Sequence, residues 1–257
     1  EEGSRVTSST IEMLDLEQKY DVAVIDEAQM IADPDRGHSW TRAILGVQAQ
    51  EIHVCMSPAA EKVITHLIQL CEDSYEIHRY ERKTRLLCEE EPFAFPEDVR
   101  EGDALIVFTK RMVLDIAGRL ERQGIRVSVI YGSLPPEIRR RQIRLFASGQ
   151  TRVVVSTYAI GMGLNLPVRR IVFVQTDKFD GKSKRPLKTA EIHQIAGRAG
   201  RFGIYDTGYV NAVGEDGLSY LKSHFYEEEP EVGHVSLVFP QVLLDMDELL
   251  DAVMTIW

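Results

Sequence analysis

Short apolar runs that alternate with helical segments restrict the fold more than any other feature of the sequence. These runs have the length of β-strands and lie at Ala104–Phe108, Val127–Tyr131, Arg152–Ser156 and Arg170–Val174. Helices are predicted in the two first gaps, at Thr109–Gln123 and Pro135–Phe146. Strands that alternate with helices imply right-handed crossovers and a parallel sheet covered on both faces. The sequence therefore predicts an α/β fold.

The first part of the chain carries a similar pattern. Strands are predicted at Tyr20–Ile25, Glu51–Cys55 and Tyr75–Tyr80, and a helix at Ala59–Leu70. An acidic run with two prolines then marks a composition break that indicates an interdomain linker. The expected organisation is the second half of an α/β domain at residues 1–88, a linker at 89–100, a complete α/β domain at 101–215, and the start of a helical C-terminal region at 216–257.

The last third of the chain adds a loop and three elements. The polar stretch Thr176–Lys188 is expected to be an exposed loop. A strand at Asp206–Val213 and a helix at Leu218–Phe225 follow, and Pro240–Trp257 contains an amphipathic helix.

Composition limits the classes of partner. The chain has 257 residues, a net charge of −10 and 44% hydrophobic residues, which is ordinary for a globular protein. The negative charge argues against non-specific coating of nucleic acid but permits a local basic groove. Three scattered cysteines favour a reducing compartment over a disulfide framework. No apolar run reaches membrane-spanning length, so no membrane partner is expected.

The most restrictive short pattern is HQIAGRAGRFG at His193–Gly203. If this stretch is helical, Arg198 and Arg201 leave the same face, because three residues make nearly one turn. Gly197 and Gly200 precede them and let a backbone or a ligand come close. Two permanently charged guanidiniums suit the terminal phosphates of a nucleotide. The alternative is a surface helix with two solvated arginines.

An acidic pair, Asp26 and Glu27, follows the apolar strand Tyr20–Ile25. Carboxylates at the carboxyl end of a strand lie where open α/β sheets bind their ligands. The alternative is a strand that simply ends in acidic turn residues.

These patterns resemble the motifs of superfamily 2 helicases, the DExD/H-type NTP-driven translocases. HQIAGRAGR looks like motif VI, and VIDEAQ looks like a Walker B strand with a DEAQ box. The resemblance implies that Asp26 holds Mg²⁺, mostly through water, and that Glu27 polarises the attacking water. Gln194, Arg198 and Arg201 would then act on ATP from the second domain.

Three further stretches resemble nucleic-acid contacts of this superfamily. IVFTKR looks like motif IV, in which Thr109 and Lys110 would contact a nucleic-acid phosphate, although a helix N-cap with a solvated lysine is the alternative. Gly132 lies in a stretch, YGSL, that resembles the loop laid along the tracked strand. VSTYAIGMGLN looks like motif V, where Ser156 and Thr157 offer donors to phosphate oxygens.

The same motif V stretch supplies two candidate nucleotide contacts. Gly163 lets the backbone approach a ligand closely. Asn165 falls where the family often carries an aspartate that touches the nucleotide ribose, and its amide retains hydrogen-bonding capacity.

More narrowly, the chain resembles the suppressor-of-Var type ATP-dependent RNA helicases of mitochondria and their bacterial relatives. The strings that carry this resemblance are TIEM, VAVIDEAQMIADPDRGHSWTRA, PAA, YGSLPP and AIGMGLNLPVRRIVF. The family implies tandem RecA-like domains with parallel sheets, ATP and Mg²⁺ as cofactors, and unwinding of RNA or RNA–DNA duplexes from a 3′ single-stranded tail. Some members act beside exoribonucleases in RNA turnover.

The chain departs from this family in two places. No G-x-x-x-x-G-K-[ST] P-loop occurs in its 257 residues, so the first RecA-like domain is expected to be incomplete. This chain alone is therefore not expected to hydrolyse ATP appreciably. Ser57-Pro58-Ala59 stands where the family has the Ser-Ala-Thr of motif III, and only the serine matches.

The expected function is thus an ATP-dependent RNA helicase core. A DNA helicase or translocase of the same superfamily is one alternative, because phosphate contacts discriminate poorly between RNA and DNA. A non-catalytic binding module is another, which the missing P-loop favours and the intact acidic pair and arginines oppose. For a member of this family the bacterial cytoplasm is the expected location, and the mitochondrial matrix is the alternative.

Overall fold

The computed structural model describes residues 6–161 and 166–238. The chain divides into two compact units. In the described residues, unit 1 comprises 6–78 and 230–238, and unit 2 comprises 79–229, without 162–165. Both units contain parallel strands flanked by helices, which confirms the predicted α/β class.

Unit 1 is built on two parallel strands, β1 (Lys19–Ile25) and β2 (Gln48–Val54). Helix α1 (Gly37–Gly46) connects them, and α2 (Glu61–Leu70) follows β2 after a short 3₁₀ turn. Apolar side chains from β1, both helices and the turns form one core, whose most buried members include Ile25, Ile31, Trp40, Ile44 and Ile64.

The other face of this small sheet is open. Val22 and Val24 of β1 are 52% and 66% exposed. Because this strand is almost continuously apolar, the sheet was expected to be covered on both faces. No described element packs on this face. Within the described residues, the apolar side chains of β1 therefore pack into a core on one face of the sheet only.

Unit 2 contains six parallel strands. In chain order they are β3 (Arg85–Cys88), β4 (Asp103–Ile106), β5 (Val127–Ile130), β6 (Val153–Ser156), β7 (Arg170–Phe173) and, after a small hairpin, β10 (Thr207–Ala212). Their order across the sheet is β3-β10-β7-β4-β6-β5. Every residue of β4, β6 and β7 is buried, as expected for parallel strands with helices on both faces.

Four helices flank this sheet: α3 (Lys110–Arg122), α4 (Pro136–Ala147), α5 (Thr189–Ala196) and α6 (Gly214–Phe225). The antiparallel hairpin β8 (Asp177–Phe179) and β9 (Lys184–Pro186) lies between β7 and α5, where a loop was expected. Among the described residues, no helix has the length and apolar character needed to cross a membrane. The amphipathic helix predicted in Pro240–Trp257 lies outside the described residues.

The boundaries differ from those expected. The segment Arg85–Cys88, assigned from sequence to the first domain, pairs with β10 in unit 2. The predicted linker at 89–100 is packed into the same unit, since Phe93 is 2% exposed and its amide donates to the Ala212 carbonyl at 3.0 Å. Residues 230–238 return to unit 1, where the Val232 amide donates to the Ala59 carbonyl at 2.8 Å.

No strand forms at Tyr75–Tyr80, so that prediction was wrong. Tyr75, Ile77 and Tyr80 are 41%, 40% and 90% exposed. A strand at this place would therefore have no buried face to stabilise it.

A buried ion pair joins the middle of the unit 2 sheet to the packed segment at 89–100. The Arg170 guanidinium donates to both carboxylate oxygens of Asp103, at 2.9 and 2.8 Å, and lies 3.1 Å from a carboxylate oxygen of Glu89. The Arg170 and Asp103 side chains are only 8% and 2% exposed. Burial raises the pKa of Asp103, while its hydrogen bonds to Arg170 oppose that rise. Arg170 on β7 thereby connects β4 with the residue that directly follows β3.

Arg170→Met is expected to lower the free energy of unfolding of unit 2 by about 3–5 kcal/mol, because it leaves the Asp103 carboxylate buried without a cation. Urea unfolding measures this difference. Arg119→Ala is the matched control, since Arg119 pairs with Asp115 at 3.0 Å on an exposed face and should cost about 0–1 kcal/mol. Equal small losses in both variants would contradict the assignment.

Candidate functional site

Unit 1 places the acidic pair at the carboxyl end of β1. The Ala28 amide donates to the Cys55 carbonyl at 2.9 Å, so the segments that follow β1 and β2 remain paired just beyond the two strands. Trp40 fixes the backbone here, because its indole Nε1 donates to the Asp26 carbonyl at 2.9 Å. The Asp26 side chain lies on the surface and accepts a hydrogen bond from the Glu27 amide at 2.8 Å.

Gln29 connects the acidic pair to the loop after β2. Its Nε2 donates to a Glu27 carboxylate oxygen at 2.5 Å, and its Oε1 accepts from the Ser57 amide at 3.1 Å. Glu27 itself adopts a left-handed backbone conformation with φ of 55°, which is rare for a residue with a side chain. The glutamine of the DEAQ box thus holds the Glu27 carboxylate, a role that the sequence analysis did not assign.

The acidic pair could bind Mg²⁺ only together with other ligands. No group of three or more His, Cys, Asp or Glu side chains in the described residues is placed to hold a metal. Mg²⁺ commonly keeps several waters and binds one or two carboxylates together with substrate phosphates. The single exposed carboxylate of Asp26 fits that mode of binding, and its role as a metal ligand stays a prediction.

In unit 2 the arginine motif follows α5. This helix ends at Ala196, so both arginines follow the helix, and the condition under which they would share one helical face is not met. The chain instead makes tight turns, in which the Arg198 amide donates to the Ile195 carbonyl at 3.0 Å. Gly200 then adopts a φ of 69°, which a helix does not permit.

Gly200 is required by a close approach between two backbones. A Cβ at this position would lie 2.5 Å from the amide nitrogen of Gly208 on β10. The Gly200 amide also donates to the Val168 carbonyl at 2.8 Å. The expectation that a glycine of this motif admits another backbone is therefore confirmed, and the neighbour is β10.

The side chains of the motif reach back to the loop after β6. The Tyr158 hydroxyl donates to Oε1 of Gln194, and the Arg198 guanidinium donates to the Gly161 carbonyl. Arg198 and Arg201 are both partly exposed. Two of the three predicted catalytic residues of unit 2, Gln194 and Arg198, are thus held against the residues that resemble motif V.

A cavity of about 610 Å³ gathers part of the predicted nucleic-acid site. Lys110, Gly132 and Thr157 line it together with Tyr131 and Tyr158. These residues come from loops at the carboxyl ends of β4, β5 and β6, which parallel pairing brings to one edge of the sheet. Three of the five predicted nucleic-acid contacts are therefore neighbours.

The other two predicted contacts are placed differently. Thr109 caps α3, because its hydroxyl accepts from the Met112 amide at 3.2 Å. Ser156 is fully buried and its hydroxyl donates to the Thr157 carbonyl at 2.9 Å. Both hydroxyls therefore serve the local structure, and a phosphate contact by either stays a prediction. Gly163 and Asn165 lie outside the described residues.

Glu191 on α5 attaches the hairpin β8–β9 to the helix that precedes the arginines. Its carboxylate lies 2.5 Å from Nζ of Lys178 and 2.9 Å from the Arg185 guanidinium, and it accepts from the Lys188 amide at 2.8 Å. Burial favours a higher pKa for Glu191, but the hydrogen bonds from Arg185 and Lys178 outweigh it and lower the pKa to about 2.

The sequence analysis gave Glu191, Lys178 and Tyr158 no role. The one local signal was a carboxylate in the first turn of a helix, where it favours capping. Lys178 also lies over the Tyr158 ring at 4.9 Å and lines the cavity, so these side chains connect the cavity wall to α5.

Comparison with known families agrees with this arrangement of motifs. A family model described as the DEXQ-box helicase domain of Suv3 matches residues 1–80, and one described as the helicase conserved C-terminal domain matches residues 82–203. The chain belongs to the Suv3-type DEXQ-box helicases of superfamily 2.

Relatives of this Suv3-type chain are considerably longer than the chain itself. The mitochondrial ATP-dependent RNA helicase SUV3 of Candida albicans is 42% identical over 222 residues, which cover 85% of this chain and 31% of that protein. The mitochondrial ATP-dependent RNA helicase SUV3L of Oryza sativa subsp. japonica is 39% identical over 96% of this chain and 36% of that protein. The chain therefore spans about a third of the length of these relatives.

A solved structure supports the fold. Saccharomyces cerevisiae Dbp5, bound to RNA and ADP BeF3, matches with a TM-score of 0.58 over 82% of this chain and 59% of that chain, at 18% identity. At that identity the likeness shows the RecA-like helicase fold alone.

Glu191→Gln is expected to lower the free energy of unfolding of unit 2 at neutral pH by on the order of 3 kcal/mol, since the pKa of Glu191 falls from 4.5 to about 2 on folding. A carboxylate whose pKa is lower in the folded state stabilises that state at pH values above its unfolded pKa. This stabilisation is lost as the pH falls through the folded pKa. The difference between wild type and variant, measured by urea unfolding, should therefore shrink between pH 4.5 and 2. Glu121→Gln, on an exposed position of α3, controls for loss of charge. A difference that does not change with pH would contradict the prediction.

Proposed function

We propose that this chain carries the DEAQ box and motif VI of an ATP-dependent RNA helicase, which couples hydrolysis of Mg-ATP to movement along a single strand. The observation that carries the proposal is the placement of two motifs in one Suv3-type chain. An exposed aspartate follows a parallel strand in unit 1, and Arg198 and Arg201 follow α5 in unit 2. The names of the relatives as ATP-dependent RNA helicases support it.

In this proposal the residues of unit 1 prepare the attacking water. Asp26 holds Mg²⁺ mostly through water, and the ion would neutralise charge on the phosphate oxygens. Glu27 orients the attacking water and accepts its proton as the bond to phosphorus forms. The bond from Gln29 keeps the Glu27 carboxylate in one orientation, which limits the reorganisation needed at the moment of reaction.

The residues of unit 2 have a separate role in this proposal. Arg198 and Arg201 stabilise negative charge on the transferred phosphoryl group, and their permanent charge makes them suited to this role. Gln194, held by the Tyr158 hydroxyl, contributes a polar group beside them. A P-loop from elsewhere in the protein would hold the β- and γ-phosphates.

The cavity beside β5 and β6 is the proposed contact for the RNA backbone. Lys110 supplies a positive charge, Gly132 an unobstructed backbone and Thr157 a hydroxyl. Contacts to phosphates give little sequence preference and a marked dependence of affinity on salt. Work beside an exoribonuclease in RNA turnover stays a prediction of the family resemblance.

The proposed location is the mitochondrial matrix. The sequence analysis expected the bacterial cytoplasm first and the matrix second. Relatives from Candida albicans and Oryza sativa are named as mitochondrial proteins, which favours the second location.

In the full-length protein, Arg201→Ala is expected to lower kcat for ATP by about 10³-fold or more, since an arginine that stabilises phosphoryl transfer is worth at least that much. Affinity for a single-stranded RNA, measured by fluorescence anisotropy at fixed salt, should stay within about twofold because motif VI does not line the RNA cavity. Arg122→Ala, an exposed arginine on α3, removes the same charge as a control. Equal loss of turnover and RNA affinity in Arg201→Ala would count against the assigned role.

A further inference from the structure

We propose that Arg82 is a positioning residue for the motif VI arginines, an inference that rests on the proposed ATP hydrolysis. Arg82 lies four residues after His78, the last residue of the first segment of unit 1, and belongs to unit 2. From sequence it was expected to lie in the first domain, at residues 1–88, and no role was predicted for it.

The guanidinium of Arg82 binds the backbone on both sides of Arg198. Its Nη1 donates to the Gly197 carbonyl at 2.8 Å, and its Nη2 donates to the Ala199 carbonyl. Its Nε donates to the Thr84 carbonyl at 2.8 Å, which ties the side chain to its own segment. One planar group therefore joins the approach to β3 with the turn that carries Arg198.

The carbonyls that Arg82 binds need a partner from outside the helix. The last helical bond of α5 runs from the Gly197 amide to the His193 carbonyl at 2.8 Å, and the chain then turns away. Gly197 is the C-cap residue of α5, so its carbonyl lacks a helical donor and carries partial negative charge that a cation stabilises, while Ala199 lies in the turn that follows. The rigid fork of an arginine fits two such oxygens at once, whereas a lysine ammonium is a single point charge.

The segment that carries Arg82 is itself fixed beneath the same turn. Thr84 is 4% exposed, and its Cγ2 lies 2.8 Å from the position that a Cβ on Gly200 would occupy. The chain then enters β3, which pairs with β10 at Gly208, the strand residue that Gly200 approaches. Arg82 is therefore anchored on the sheet and holds the turn from one side.

This placement predicts a selective effect on catalysis. Arg198 and Arg201 extend from the turn whose carbonyls Arg82 binds, so loss of the guanidinium lets that turn move. Misplacement of a catalytic group by about 1 Å is enough to cost about 100-fold in rate. RNA affinity should not change, because Arg82 is not among the residues that line the RNA cavity.

The test compares Arg82→Ala, Arg82→Lys and wild type in the full-length protein. We expect Arg82→Ala to lower kcat for RNA-stimulated ATP hydrolysis by about 10- to 100-fold, with KM for ATP and RNA affinity within about threefold. Arg82→Lys should recover only part of the loss, since it keeps the charge but not the fork. Arg85→Ala is the matched control, because Arg85 is exposed and lies three residues further along.

Amide hydrogen exchange provides a readout that does not depend on ATP hydrolysis. Exchange at residues 197–201 should be faster in Arg82→Ala than in wild type and the Arg85→Ala control, with an unchanged midpoint of urea unfolding. Unchanged exchange there would overturn the proposal, and so would faster exchange with a kcat within twofold of the control. A wild-type protein that hydrolyses no ATP would instead overturn the proposed function, and the exchange result alone would then decide whether Arg82 holds the turn.

Discussion

Parallel pairing of strands determines where the acidic pair of unit 1 and the predicted nucleic-acid contacts of unit 2 lie. Because the strands of each sheet run the same way, their carboxyl ends meet at one edge. In unit 1 this brings Glu27 within reach of the loop that contains Ser57 through Gln29. In unit 2 it gathers Lys110 and Thr157 around one cavity. Strand pairing thus makes neighbours of residues that are far apart in sequence, and it does so without requiring direct contacts between their side chains.

Side chains then fix the loops that the sheets bring together. Gln29, Tyr158 and Arg82 each bind groups on a different segment from their own. Forming these contacts costs little conformational entropy, because strand pairing already orders the segments on either side. The backbones of Gly200 and Gly208 approach so closely that a side chain on either residue would collide with the other segment. The arginine motif is therefore positioned by backbone packing first and by polar contacts second.

The sequence predicts the strands and helices of unit 2 well because burial decides them. The runs that become β4, β6 and β7 are apolar at nearly every position, and the structure buries them all. Tyr75–Tyr80 has charged or polar side chains at three of its six positions and its apolar side chains stay exposed, so the strand predicted there does not form. The turn after Ala196 was also missed, because the left-handed Gly200 is set by its approach to β10 and not by local preference.

Long-range polar contacts could not be predicted from sequence for the same reason. Arg82 and Gly197 are 115 residues apart, and nothing in the local sequence of either links them. Glu191 carried a helix-capping signal, but its partner Lys178 depends on a hairpin that was expected to be a loop. The acidic pair and the arginines were recognised because they recur as a family pattern, and their proposed roles rest on that pattern together with their placement.

The most direct measurement of the central claim is a double-mutant cycle on single-turnover ATP hydrolysis in the full-length protein, with Glu27→Gln and Arg201→Ala. If both side chains act on the same phosphoryl group, each single variant should lose about 10³-fold, and the double variant should be no more than about threefold slower than the slower single variant. Rate losses that multiply, so that the double variant shows the product of the two single effects, would contradict the account.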